Sequence, residues 1–141
     1  MAISLKPTLT LTSTSGASGV SEDSSLALSV NTTLTVTDPM IGISRISCDV
    51  TGANTVILPS VDSTRYVYIK NTGLTGADAA DTAGIATGVT LKVETGDGAR
   101  VADLAAEEFC FFPHHAETAG ILQLEASADT VIAEYGYWTK V

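Results

Sequence analysis

Charged residues are scarce in this chain, and most of those present are acidic. They make up 16% of the 141 residues, and 16 Asp and Glu outnumber 7 Lys and Arg, for a formal net charge of −9. Globular proteins usually carry about 25% charged residues. A surface this acidic repels phosphate, so we expect no direct binding to nucleic acid or to an anionic membrane. The balance favours solubility, or docking onto a basic protein face.

Long apolar runs and a leader segment are also lacking. No stretch approaches the ~18 apolar residues of a membrane span. The N-terminus has no basic segment followed by an apolar run, so no signal peptide is predicted. We therefore expect synthesis in a cytoplasm and no membrane partner.

Cysteine is limited to Cys48 and Cys110, which stand far apart and form no C-x-x-C motif. The pair could form one disulfide. However, Cys110 lies in the apolar segment 109–112, which we interpret as core, and free cysteine packs as a small hydrophobic residue. The sequence therefore favours two reduced, buried thiols over a disulfide.

Catalytic and metal-binding motifs are missing as well. Neither a G-x-S-x-G elbow nor a phosphate-binding loop occurs. His114 and His115 follow a proline, which favours a solvated loop over a metal or acid–base site. Asp78 and Asp81 lack the tight spacing of known calcium loops, although calcium between subunits is left open. We predict no enzyme activity, no cofactor and no metal.

Apolar and polar residues alternate through much of what is present. Residues 26–36 carry apolar side chains at nearly every second position, which is typical of a strand with one buried face. In residues 65–70 the same pattern places Val67 and Ile69 on one face and Tyr66 and Tyr68 on the other. Residues 96–98, Gly-Asp-Gly, predict a hairpin turn, followed by a returning strand in preference to a helical turn.

These segments predict an all-β protein. About nine short antiparallel strands separated by turn signals are typical of a β-sandwich or a jelly-roll-like domain. Residues 22–141 are predicted to form this single domain. Residues 109–112 are expected to be a core strand that ends at Pro113.

Residues 1–21 are predicted to form an extended N-terminal arm with a Gly/Ser tether. The short alternating segment Thr8 to Thr12 could pair with the sheet edge of a neighbouring subunit. The alternative is that it forms the first strand of the chain's own sandwich. Core or intersubunit packing is favoured over a sugar-binding platform for the aromatic residues Tyr66, Tyr68, Tyr135, Tyr137 and Trp138. The predicted protein interface consists of Thr8, Leu9, Thr10, Leu11, Thr12, Tyr137 and Trp138.

Four segments resemble small virion proteins of tailed bacteriophages. They are residues 65–73 with an Ile-Lys-Asn strand end, residues 89–93, residues 104–113 with a Leu–turn–Glu-Phe step, and residues 131–138 with Glu-Tyr near the end. The pattern spans roughly residues 60–140 and is loose. It resembles the group that includes capsid decoration, or cement, proteins and small tail-associated β-domains.

The resemblance implies a virion structural protein on the capsid surface. Such a protein would bind the major capsid protein and stabilise contacts between capsomers. The resemblance also implies a homo-oligomer, with a trimer favoured over a dimer. The alternative is a tail or fibre module that recognises host-surface glycans.

Overall fold

A computed structural model describes residues 3–12, 27–37, 42–50, 55–58, 62–116 and 121–141. These residues contain strands and turns but no helix. The strands are Ile3–Leu5 (β1), Thr8–Thr12 (β2), Ala27–Asn31 (β3), Leu34–Thr37 (β4), Ser44–Asp49 (β5), Thr55–Leu58 (β6), Ser63–Thr75 (β7), Ala83–Gly84 (β8), Leu91–Thr95 (β9), Arg100–Leu104 (β10), Phe109–Ala116 (β11), Leu122–Ala126 (β12) and Thr130–Lys140 (β13).

The strands form two principal sheets. The large sheet has the order β1-β4-β13-β7-β11, with β5 also paired to β13 and β8 to β7. The small sheet has the order β10-β9-β12-β6. Every strand pair that the structure describes is antiparallel. The prediction of an all-β, sandwich-like fold is confirmed, but the described residues form thirteen strands instead of about nine.

The core lies between the two sheets. Val67 and Ile69 of β7 point inward from the large sheet and are fully buried. Leu91, Val93 and Leu124 of the small sheet are fully buried in the same cluster. Removing these side chains from water is the main favourable contribution to folding. The predicted two faces of residues 65–70 are confirmed, because Tyr66 and Tyr68 lie on the opposite side.

The hairpin at Gly96–Gly98 is also confirmed. The Gly98 N–H donates to the carbonyl of Thr95 at 2.9 Å, and Gly98 has a φ of +83°, which favours glycine. β10 then returns along β9. The returning strand was the preferred interpretation of this segment, and the helical alternative is wrong.

β11 differs from the prediction in its length and in the side chains that it buries. It continues through Pro113 to Ala116, so the expected stop at Pro113 is wrong. A residue without an N–H is tolerated there because β11 is the last strand of the large sheet. Phe109 and Phe111 are exposed on the outer face, whereas Cys110 and Phe112 pack against the core.

The two histidines therefore lie on a strand and not in a loop, which corrects that prediction. His114 is half-buried, and its ring meets Phe112 edge-on with 6.2 Å between ring centroids. His115 lies on the opposite face, where its Nδ1 is 3.1 Å from the hydroxyl of Thr64. Adjacent strand residues point to opposite faces, so the pair cannot bind one metal ion together.

The N-terminal residues pair within their own chain. β1 pairs with β4 at the edge of the large sheet, and β2 pairs with β3 as a separate two-stranded sheet. The single strand predicted for residues 26–36 is thus two strands, interrupted at Thr32 and Thr33, and residue 26 lies outside the described residues. We call the β2–β3 pair the N-terminal ribbon. Exchange of this segment with a neighbour stays a prediction, as does the domain boundary after residue 21.

A buried asparagine holds the corner where the chain passes from the small sheet to the large one. The side-chain amide of Asn71, in β7, donates to the carbonyl of Leu104 at 2.9 Å, and its Oδ1 accepts from the N–H of Gly73 at 2.9 Å. The backbone of Asn71 also pairs with Glu107 and Glu108. Glu107 has a φ of +68°, so the turn is tight.

Both cysteines are free thiols. Cys48 is fully buried, and burial raises its pKa to about 12, although a hydrogen bond with Thr55 opposes this. Burial raises the pKa of the half-buried Cys110 to about 11. The thiolate is the reactive form, so both groups are protected by their pKa as well as by packing.

We expect neither thiol to react readily with an aromatic disulfide reagent at pH 8 in the folded protein. Cys110 should react before Cys48, because it is less buried and has the lower pKa. Both should react at once in denaturant. Absorbance of the released thiolate measures this, and rapid labelling of Cys48 under native conditions would contradict the burial described here.

Candidate protein-binding groove

Five aromatic side chains share the outer face of the large sheet. Tyr66 and Phe111 stack with ring centroids 6.0 Å apart and planes at 7°. Tyr68 and Phe109 are 6.3 Å apart, and Phe111 and Trp138 are 6.4 Å apart. The pairing of β7 with β11 and β13 brings these residues together, because it aligns Tyr68 with Phe111 and Tyr66 with Trp138. We call these five residues the aromatic row.

Trp138 lies over Gly136, two residues earlier on β13. A Cβ placed on Gly136 would be 3.2 Å from Cη2 of Trp138 and 3.6 Å from Cδ1 of Ile43. The missing side chain lets the indole lie against the sheet backbone. This packing fixes one end of the aromatic row.

A groove of about 780 Å³ separates the aromatic row from the N-terminal ribbon. One wall comes from the ribbon and the residues that join it to the large sheet, and the other wall comes from β7 and β11. The lining residues are Pro7, Thr8, Leu9, Val30, Thr32, Leu34, Tyr66, Tyr68, Phe109, Cys110 and Phe111. None of these described lining residues is charged. A smaller hollow of about 200 Å³ adjoins Phe111 and Trp138.

Exposed apolar side chains are concentrated in this groove. Leu9 is 44% exposed, Val30 50%, Phe109 57% and Phe111 37%. They are four of the eight large hydrophobic residues exposed in the described part of the chain. Single exposed apolar residues are normal, but a contiguous apolar patch marks an interaction site. The groove is therefore the best candidate for a functional surface.

Two pairs of charged groups lie beside the aromatic row, and Lys6 lines the hollow next to Phe111 and Trp138. Lys70 contacts Glu107 at 2.6 Å, and Arg45 contacts Glu134 at 2.7 Å. The hydrogen bond to Glu107 raises the pKa of Lys70. Burial, with the nearby Glu134 carboxylate as a second cause, raises the pKa of Tyr68, so its hydroxyl stays neutral. The side chains of the row itself are therefore neutral.

The structure places part of the predicted interface at this groove. Thr8 and Leu9 line it, and Trp138 ends the aromatic row. Thr10 is exposed on the ribbon, and Leu11 and Thr12 complete β2. Tyr137 lies apart, on the opposite face of β13, with the Arg65 guanidinium 5.0 Å from its ring centroid.

Sequence reasoning missed most of the groove. Val30, Phe109 and Phe111 were not predicted as interface residues, and Tyr66 and Tyr68 were weighed only as aromatic residues in general. The alternation in residues 65–70 did place the two tyrosines away from the core. Nothing in the linear sequence aligned them with Phe109 and Phe111, because that depends on the register between β7 and β11.

The described residues hold no group of three or more His, Cys, Asp or Glu side chains that could bind a metal ion. The acidic loop after β7 satisfies its own backbone, since Asp81 accepts from the N–H of Asp78 and Asp78 accepts from the N–H of Ala80. Among the same residues there is no helix with the length and apolar character needed to cross a membrane.

Comparisons with protein-family models, with curated proteins and with solved structures found no match. Function therefore has to be inferred from the chemistry and geometry of the groove.

Proposed function

We propose that this chain is a structural protein of a bacteriophage virion. It binds the outer surface of the capsid, with the major capsid protein as its partner, and stabilises contacts between capsomers as a decoration protein. The observation that carries the proposal is the neutral, apolar groove on an otherwise acidic β-sandwich. A surface of this kind is covered by protein in the working assembly.

The groove suits protein better than a small polar ligand. Four large apolar side chains are exposed in it, and the polar side-chain groups among its lining residues are the hydroxyls of threonines and tyrosines. Binding sites for small molecules add precisely placed polar groups that fix orientation. Protein interfaces combine aromatic residues with few charges at their centre, as the aromatic row does.

The charges outside the groove support a basic partner surface. Four of the seven basic residues already contact carboxylates: Arg45, Lys70, Lys92 and Arg100. The excess carboxylates therefore set the field around the protein. Such a field draws the chain to a basic protein face and away from packaged nucleic acid.

A decoration protein acts through multivalent binding of many copies. Each copy needs only modest affinity, because many contacts engaged together resist expansion of the shell. The low charge and the absence of a metal group among the described residues are compatible with such a passive role.

We expect the purified chain to sediment with shells assembled from the major capsid protein encoded in the same genome. Binding should saturate at a copy number that is a simple multiple of the number of capsomers. It should weaken as the salt concentration rises, because opposite charges attract less when screened. Sedimentation of the chain alone provides the control. Failure to sediment with shells at low salt, at any ratio of chain to shell, would overturn the proposal.

A second candidate function is recognition of host-surface glycans by a tail or fibre module. The stacked pair Tyr66 and Phe111 favours it, because sugar rings pack against exposed aromatic faces. The single Trp138 would report binding of purified host polysaccharide by a change in fluorescence. Saturable polysaccharide binding without shell binding would replace the decoration proposal with this one.

A further inference from the structure

We infer that the groove is the contact between copies of this chain, in which the N-terminal ribbon of one copy covers the aromatic row of the next. This goes beyond the proposed function, because it assigns the groove to contact between copies and leaves the acidic surface outside the groove to bind the capsid. The occupant is a second copy, and the contact closes as a dimer or a trimer.

The first argument is that each copy carries two complementary uncovered surfaces. Leu9 and Val30 face each other across the ribbon and are each about half exposed. Phe109 and Phe111 are exposed on the aromatic row. Within one copy these surfaces stay separated by the groove of about 780 Å³, so neither covers the other. A second copy would cover the aromatic row with its ribbon and offer its own aromatic row to a ribbon.

The second argument is electrostatic. Two copies that each carry a formal charge of −9 repel one another, so they must meet where neither presents charge. The ribbon strands Thr8–Thr12 and Ala27–Asn31 contain no charged residue, and neither does the described lining of the groove. A partner selected by basic charge would find no carboxylate here. Neutrality on both sides therefore favours a copy of the same chain.

The third argument is the independence of the ribbon. In the described residues β2 and β3 pair only with each other, and sheet pairing stops at Lys6 and Pro7 on one strand and at Thr32 and Thr33 on the other. Pro7 has no N–H to continue the ladder. The ribbon can therefore turn about this break without losing hydrogen bonds of the large sheet, and no other strand of the described part of the chain pairs with its outer edges.

Light scattering during size-exclusion chromatography of the full chain tests the inference. The wild type should have two or three times the monomer mass of 14.5 kDa. Val30→Glu should run as a monomer, because it places a carboxylate in an apolar contact, and its dissociation constant should rise at least about a hundredfold. Val56→Glu is the matched control, since Val56 is also a strand valine that is 50% exposed but lies on the small sheet. It should keep the wild-type mass.

Mixing two variants tests the direction of the contact. Phe109→Ser damages the aromatic row and Val30→Glu damages the ribbon, so each alone should be a monomer with a wild-type circular dichroism spectrum. Together they should form a heterodimer, because the first still has a ribbon and the second still has a row. No complementation would mean that the ribbon does not act between copies.

A monomeric wild type, an oligomeric Val30→Glu variant or a dissociated Val56→Glu variant would each overturn the inference. These results are separate from the shell test. A monomer that sediments with shells would overturn the inference and leave the proposed function standing. A groove-dependent oligomer that does not bind shells would overturn the proposed function and leave the inference standing.

Discussion

Asn71→Ala is expected to lower the free energy of unfolding by about 2–4 kcal/mol. The substitution leaves the buried carbonyl of Leu104 without its side-chain donor and the N–H of Gly73 without its side-chain acceptor. Asn71 is fully buried, so water cannot replace either partner without opening the corner. Urea denaturation followed by circular dichroism measures the loss as a lower midpoint with an unchanged slope.

Asn31→Ala is the matched control, because Asn31 is an exposed asparagine in β3. It should change the free energy of unfolding by less than about 0.5 kcal/mol. If Asn71→Ala were as mild as this control, Asn71 would not hold the corner between the sheets.

The same corner brings together residues 65–73 and residues 104–113. The first segment supplies Asn71, which lies within β7, so the strand end predicted there is wrong. The second segment supplies Leu104 and the tight turn at Glu107. Lys70 also contacts Glu107 at 2.6 Å. These segments therefore include the junction between the two sheets, and they also carry Tyr66, Tyr68, Phe109 and Phe111 of the aromatic row.

Where polar and apolar residues alternate strictly, the pattern was enough to predict both the strand and the face that it buries. β7 is an example. The hairpin at Gly96–Gly98 was predictable from its turn residues instead. β11 fails this test because residues 109–112 are all apolar or cysteine, so the sequence offers no signal for the face that is buried. Pairing with β7 makes the choice, and it places Phe109 and Phe111 outside.

The groove could be predicted only in part for a related reason. The composition of Thr8 to Thr12 pointed to an interface, and β2 lies in the ribbon wall. The break at Thr32 and Thr33 interrupts an otherwise regular alternation. It lies opposite Pro7 in the folded chain, although the two positions are far apart in sequence. Contacts over such separations depend on register, which a linear pattern does not contain.

Gly136→Val is expected to move Trp138 away from the sheet. The new Cβ would be only 3.2 Å from the indole, and the valine methyl groups would extend further into the same space. We expect a red shift in tryptophan emission and a loss of about 1–3 kcal/mol in the free energy of unfolding, which is typical of overpacking. The chain has one tryptophan, so the emission reports this position alone.

Gly84→Val is the matched control, because a Cβ on Gly84 of β8 would meet no atom within 4 Å. Its emission should match the wild type. Trp138 also contacts Phe111, so displacing the indole should disturb the aromatic row and weaken association between copies along with the emission change. A red shift without weaker association would show that Trp138 does not support the contact between copies. An unchanged emission would show that the indole does not lie over Gly136.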